Sequence, residues 1–168
     1  MKVKILSLDE LPAGLSSALA YWRELGGDKL QCSWKTFDLM KIPSSLLPTT
    51  MVIDVGVDMD ANRYRYWGSV MTRLHGRDMT NLCPYDIPPE KLAERIRQDH
   101  AMMLREKKAY ARIYGFERHG GFEHFHSVLA LPLSDDAENV HQIAVVIELT
   151  AKGSNQLRDR PNDGAAFA

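Results

Sequence analysis

The feature that most constrains this chain is its last third. Three apolar, strand-like runs at about 109–116, 122–133 and 140–150 follow one another across two short turns, Gly120-Gly121 and the SDDAEN stretch of 134–139. Such a series predicts an antiparallel meander. Immediately before it, Pro88 and Pro89 open the best amphipathic helix in the sequence, with Asp86 near the cap and Glu90 in the first turn, where the helix dipole favours a negative charge. Leu92, Ile96, His100 and Met103 fall on one face of that helix, and its end is expected among the basic residues Arg105, Lys107 and Lys108.

Further upstream, TMVIDVGV (50–57) and NRYRYWGSV (62–70) read as a second group of strands. Asp58, Asp60 and Asn62 between them suit a hairpin turn, so the two runs should pair antiparallel. Between this hairpin and the helix, MTRLHGRDMTNLCPYDIPP is too interrupted for a strand and predicts short helical turns. Residues 9–25 predict another helix, with Asp9 capping, Pro12 in the first turn, and Leu11, Leu15, Ala18, Trp22 and Leu25 at helical spacing until Gly26-Gly27 stops it. Residues 28–48 have no clean period and end in IPSSLLP, which reads as a connector. The expected organisation is an N-terminal helical extension and connector over 1–48, the main domain over 49–150, and a polar tail over 151–168 that cannot bury enough surface to order itself.

At 168 residues the chain has room for one ordinary domain, and its 45% hydrophobic content supplies a real core without staples. The formal charge of −1 provides no positive field, so neither nucleic acid nor an anionic membrane is an expected partner. Asp9 and Glu10 interrupt the N-terminus before a signal peptide can form, and no apolar run is long enough to span a membrane. Cys32 and Cys83 lie far apart with no CxxC spacing, which fits a reducing compartment and a cytoplasmic location.

Two strands, a cluster of short helices, one longer helix and three antiparallel strands build an α+β fold: a five-stranded antiparallel sheet with helices on one face, joined to an N-terminal helical extension. This order resembles the PAS fold. Tyr21-Trp22, IPSSLLP at 42–48, YRYWGS at 64–69, GRDMT at 76–80 and LPLS at 131–134 are similar to stretches of a family of stand-alone bacterial PAS-like proteins, and they span most of residues 20–150. The resemblance implies a single-domain sensory or regulatory protein without a fused output domain. It also implies a pocket between the sheet and the long helix, and partner contacts through the outer sheet face or the N-terminal helix. It names no ligand, so the cofactor stays open. After the long helix, KKAYARIYGFERHGGFEHFHS departs from the family pattern in its wealth of aromatic residues and histidines.

Strand parity and the helix stripe select Tyr64, Tyr66, Leu74, His100, Met103 and Leu129 as the ligand-binding set. His100 reads first as a buried or stripe-edge histidine. The resemblance adds an alternative, because some haem-binding PAS domains place their axial histidine on this helix. His119, His124 and His126 form a second constellation; HxH on a strand can present two imidazoles to a metal, while the plainer reading is a polar strand edge facing solvent or a partner. On the hairpin, strict alternation sends Tyr64 and Tyr66 under the helices and Arg63, Arg65 and Trp67 outward. Asp78 and Thr80 read as a local cap rather than an acid/base pair. No phosphate loop, Ser-His-Asp set or dinucleotide fingerprint can be assembled, so a non-enzymatic sensor is expected, with a small molecule or a signalling protein as partner. The alternative is a metal- or haem-binding protein or small enzyme built on those histidines. Trp22 and the apolar stripe also raise a homodimer through residues 9–25.

Overall fold

In the computed structural model, which describes residues 2–117 and 123–149 (backbone alone at 116–117 and 123–124), the meander forms, and the turn expected at Gly120-Gly121 lies outside the described residues. Strands β4 (Tyr110–Glu117), β5 (Glu123–Leu133) and β6 (Gln142–Leu149) pair antiparallel in sequence order. The hairpin strands β2 (Met51–Asp54) and β3 (Arg63–Trp67) extend this sheet through an antiparallel β2–β6 pair. At the other edge, β1 (Lys2–Leu6) pairs with β4. The sheet therefore has six strands in the order β1-β4-β5-β6-β2-β3, one more than the five expected. The extra strand, KVKIL, is short and mostly exposed, so it carries too little apolar signal to stand out from sequence.

Helices cover both faces of the sheet, not one. Helix α1 (Ala13–Glu24) starts after Pro12 rather than at an Asp9 cap, and Gly26, at φ +80, sits in the left-handed region that ends such a helix. Its buried residues Leu15, Ala18, Leu19 and Trp22 pack on Leu129, Leu131, Leu133, Ala144 and Val146. The opposite face carries Val128, Ala130, Ile143, Val145 and Ile147 against α2 (Ser69–His75) and α3 (Glu90–Glu106). Residues two apart on a strand share a face, so β5 and β6 divide their side chains between two cores. The stripe that motivated a homodimer contact is thus spent on the chain's own sheet.

The hairpin departs from strict alternation. Val52 opposes Tyr66 and Ile53 opposes Tyr64, so β3 holds one more residue than β2 at this point. The bulge returns Tyr64 and Trp67 to the same side, their rings edge-to-face at 4.7 Å, and turns Tyr66 away. The expected tail at 151–168 lies outside the described residues.

Trp22 anchors the α1 face. Its Nε1 donates to the Pro132 carbonyl at 3.0 Å, and Gly27 lies so close beneath the indole that a Cβ there would sit 2.1 Å from Cδ2 and Cε2. Trp22→Phe leaves a buried carbonyl without its donor, and should lower unfolding stability by about 1–3 kcal/mol in urea titration. Gly27→Ala should be at least as damaging, because two rigid groups must separate. Wild-type stability in both variants would contradict this packing.

Candidate ligand-binding cavity

Helix α3 lies over the sheet face that carries α2, and its stripe residues Leu92, Ile96 and His100 form one wall of a cavity. The other walls come from Met51 and Ile53 of β2, Tyr64 of β3, Met71 and His75 of α2, Ile87, Tyr110 and Tyr114 of β4, His126 and Val128 of β5, and Val145 and Ile147 of β6. The space open to the centre of a water-sized sphere is about 60 Å3. That corresponds to about four to six waters, or one ring with a small substituent. The lining is largely apolar, and among the described residues no Asp, Glu, Lys or Arg contributes to it.

Of the six residues selected from sequence, Tyr64 and His100 line this cavity. Leu74 and Met103 are buried in the same core but outside its wall. Tyr66 is excluded by the bulge, and its hydroxyl donates to the Leu47 carbonyl at 3.3 Å. Leu129 belongs to the opposite core under α1, because β5 places odd-numbered residues from Leu129 onward on that face. His126, read from sequence as part of a polar strand edge, is 5% exposed on an inner strand and faces the cavity with Val128. His119 and the side chain of His124 lie outside the described residues, and among the described residues no cluster of His, Cys, Asp or Glu is disposed to hold a metal. Asp78 behaves as a local cap: its Oδ1 accepts from the Thr80 amide and hydroxyl, which holds the carboxyl below its ordinary range.

His100 is buried, and its Nδ1 meets the end of a chain of polar side chains. Asn62 Nδ2 donates to the Tyr85 hydroxyl at 2.9 Å, and that hydroxyl lies 3.1 Å from His100 Nδ1. The same hydroxyl also lies 3.7 Å from Met59 Sδ, a second place for its one proton. Nε2 bonds no described residue. Burial pushes His100 down to about 4, with the nearby Asp99 charge opposing, and burial pushes His75 down to about 4 as well. Tyr64 and Tyr110 also line the cavity with hydroxyls that bond no described residue, and burial holds both phenols above their ordinary range. A haem does not fit: a tetrapyrrole is many times larger than the space beside His100, whose Nδ1 is already engaged.

The sequence reading missed the ionic group behind this wall. Asp99, 2% exposed on α3, accepts from Arg95 through Nε at 3.0 Å and Nη2 at 2.8 Å. It also accepts from Arg112 Nη2 at 3.2 Å and Nε at 3.3 Å, and from the Tyr114 hydroxyl at 2.8 Å. Arg112 is itself buried and lies over the Tyr110 ring at 5.0 Å. One carboxylate therefore ties α3 to β4, and through Tyr114 and Tyr110 the tie reaches the cavity. The legible signal was the alternation Tyr110-Arg112-Tyr114: an arginine between two tyrosines on one strand face needs a buried anion opposite.

Strands β2 and β3, the short helical segments, α3 and the meander β4–β6 in this order make the chain an α+β protein with a PAS-like fold. No protein-family model matches the sequence, and no curated protein matches it. Similar solved structures include the VqmA dimer of Vibrio cholerae, at 11% identity and TM-score 0.49 over 68% of this chain and 52% of that one. They also include a fungal light-oxygen-voltage (LOV) domain photoreceptor, at 18% identity and TM-score 0.44 over 82% of this chain and 98% of that one. A variant of RsLOV follows at 8% identity and TM-score 0.47, over 64% and 63%. The chain spans about half the length of the VqmA chains it matches, 52% in the form bound to DPO and 45% in the ligand–DNA complex.

Two testable consequences follow from burial. Histidines whose folded value is depressed bind protons more readily when unfolded, so stability is full above about pH 6.5 and falls as pH drops towards 4. Each contributes about 3 kcal/mol across that window; urea titrations should show this slope, with His75→Phe and His100→Phe each flattening it. At neutral pH, Asp99→Asn strands the buried Arg112 and should cost about 3–5 kcal/mol, whereas Arg95→Met, on the helix exterior, should cost about 1 kcal/mol or less. Equal losses in the two variants would contradict the assigned geometry.

Proposed function

We propose that this protein is a non-catalytic, cytoplasmic PAS-like sensory module of the stand-alone bacterial type, and that it binds a small molecule between α3 and the sheet. The observation that carries the reading is the cavity itself. A largely apolar space is roofed by one long helix, and Tyr64, Tyr110 and His100 bring polar side chains to its lining. Close-packed interiors leave few such spaces, and polar groups gathered on an apolar hollow fit ligand recognition better than core filling.

A sensing role needs a ligand that favours one of two states. Tyr114 supplies the physical connection, because it lines the cavity and donates to Asp99, the residue that fastens α3 to β4. A molecule that displaces the Tyr114 ring changes the strength of that fastening, and so the position of α3 on the sheet. A signalling protein reading the α3 surface would then sense occupancy. Among the described residues no helix is long and apolar enough to cross a membrane, and the free thiols of Cys32 and Cys83 agree with a reducing compartment.

Native mass spectrometry of the chain purified from its own cells is the test. The wild-type protein should carry a non-covalent small molecule. A Val145→Phe variant, which fills the cavity from β6, should keep its fold and lose the adduct. The same adduct on both proteins, or bare wild-type chain, would count against the reading.

A further inference from the structure

Helices cover both faces of the sheet, so a partner can extend it only at an edge. The β3 edge is partly taken, since the Tyr64 amide donates to the Leu82 carbonyl and the Tyr64 carbonyl accepts from the Asn81 amide. At the opposite edge, Lys2–Leu6 bond β4 on one side, and among the described residues no backbone group meets the other. We propose that this β1 edge is a docking site for an extended, acidic segment of a partner protein, which adds one strand to the sheet.

The two sides of β1 set the partner's chemistry. Side chains two apart on a strand share a face. Leu6 packs with the core under α1, so Lys2 and Lys4 project on that side, and both are exposed. Lys4 has no ion pair with a described residue. Val3 packs with the core under α3, and Ile5 beside it is 72% exposed. A strand laid against β1 therefore places one row of its side chains across from two lysines and the other row across from Ile5. Ladder hydrogen bonds bind any extended chain, whereas alternate side chains select among chains. Carboxylates alternating with apolar residues answer both rows.

Charge disfavours the two occupants nearest to hand. A second copy paired symmetrically and antiparallel at this edge would set Lys2 and Lys4 of one chain against those of the other, the arrangement by which edge lysines discourage self-association. Residues 150–168 of the same chain carry Lys152, Arg158 and Arg160 against Asp159 and Asp163, so they bring more cations than anions to an edge that is already cationic. The site needs nothing in the cavity, and its test stands apart from that of the ligand-binding reading.

Three capped peptides test it, each titrated into the full chain at low salt while backbone amide NMR resonances are followed. One alternates Asp and Val, one alternates Lys and Val, and the third is the first with a proline at its centre. The Asp-Val peptide should shift the amides of Lys2–Leu6 and bind about tenfold more tightly than the Lys-Val peptide, because two exposed charge pairs change sign. Lys2→Glu combined with Lys4→Glu, at two exposed positions, should reverse that preference. The proline peptide keeps its charge but lacks a ladder donor, and should lose most of the binding. Equal affinities for the two charge types, shifts confined to residues other than Lys2–Leu6, or full binding by the proline peptide would overturn the proposal. So would nuclear Overhauser contacts from residues 151–168, or from a second copy in a sedimenting dimer, to Lys2–Leu6, since either gives the edge to another occupant.

Discussion

The arrangement around the cavity depends on the burial of one carboxylate. Asp99 sits at 2% exposure on α3, where an unpaired charge would be prohibitive, and it is admitted only because Arg95, Arg112 and Tyr114 surround it. Because Arg112 and Tyr114 belong to β4, the helix cannot slide or settle onto the sheet without breaking charged hydrogen bonds. Hydrophobic contact alone is non-directional and would favour closing the gap. The ionic tie is directional, and it holds the helix at the spacing that leaves a hollow between Ile96 and Val145.

The same face shows how a polar interior can be built in stages. Asp99 accepts from three protein side chains, whereas His100, the next residue on the helix, is bonded among the described residues at Nδ1 alone. Tyr85 stands between these regimes: it accepts from Asn62, lies on the imidazole side of α3, and meets the Arg97 guanidinium over its ring at 4.6 Å. Arg97 in turn pairs with Asp60 on the segment between β2 and β3. The hairpin, the short helix containing Tyr85 (Pro84–Asp86) and α3 are therefore linked by polar contacts beside the cavity, while mostly apolar side chains line its inside.

Much of the fold was legible because its signals were local. Pro88-Pro89 before an amphipathic stripe and two turns between apolar runs located α3 and β4–β6 to within a few residues. What escaped was set by tertiary context. The continuous apolar runs VLALPL and IAVVI fill both parities of β5 and β6, the pattern of a strand buried on two faces, yet the reading assigned helices to one. Leu129 was misplaced by that assumption, and Tyr66 by a bulge that alternation cannot foresee. Tyr64 and His100 were reached because one lies on the cavity side of the bulge and the other on an unbroken helical stripe. Asp99 was passed over because a charged residue beside that stripe reads as solvent-facing until its partners on β4 are known.

The central claim is that a real, largely apolar hollow lies between α3 and the sheet. Crystals pressurised with xenon test it most directly, since xenon enters apolar cavities without needing a hydrogen bond. A xenon site bounded by Tyr64, Ile96, His100 and Val145 is the expected result. Close-packed side chains at that position, with xenon bound elsewhere or not at all, would contradict the account.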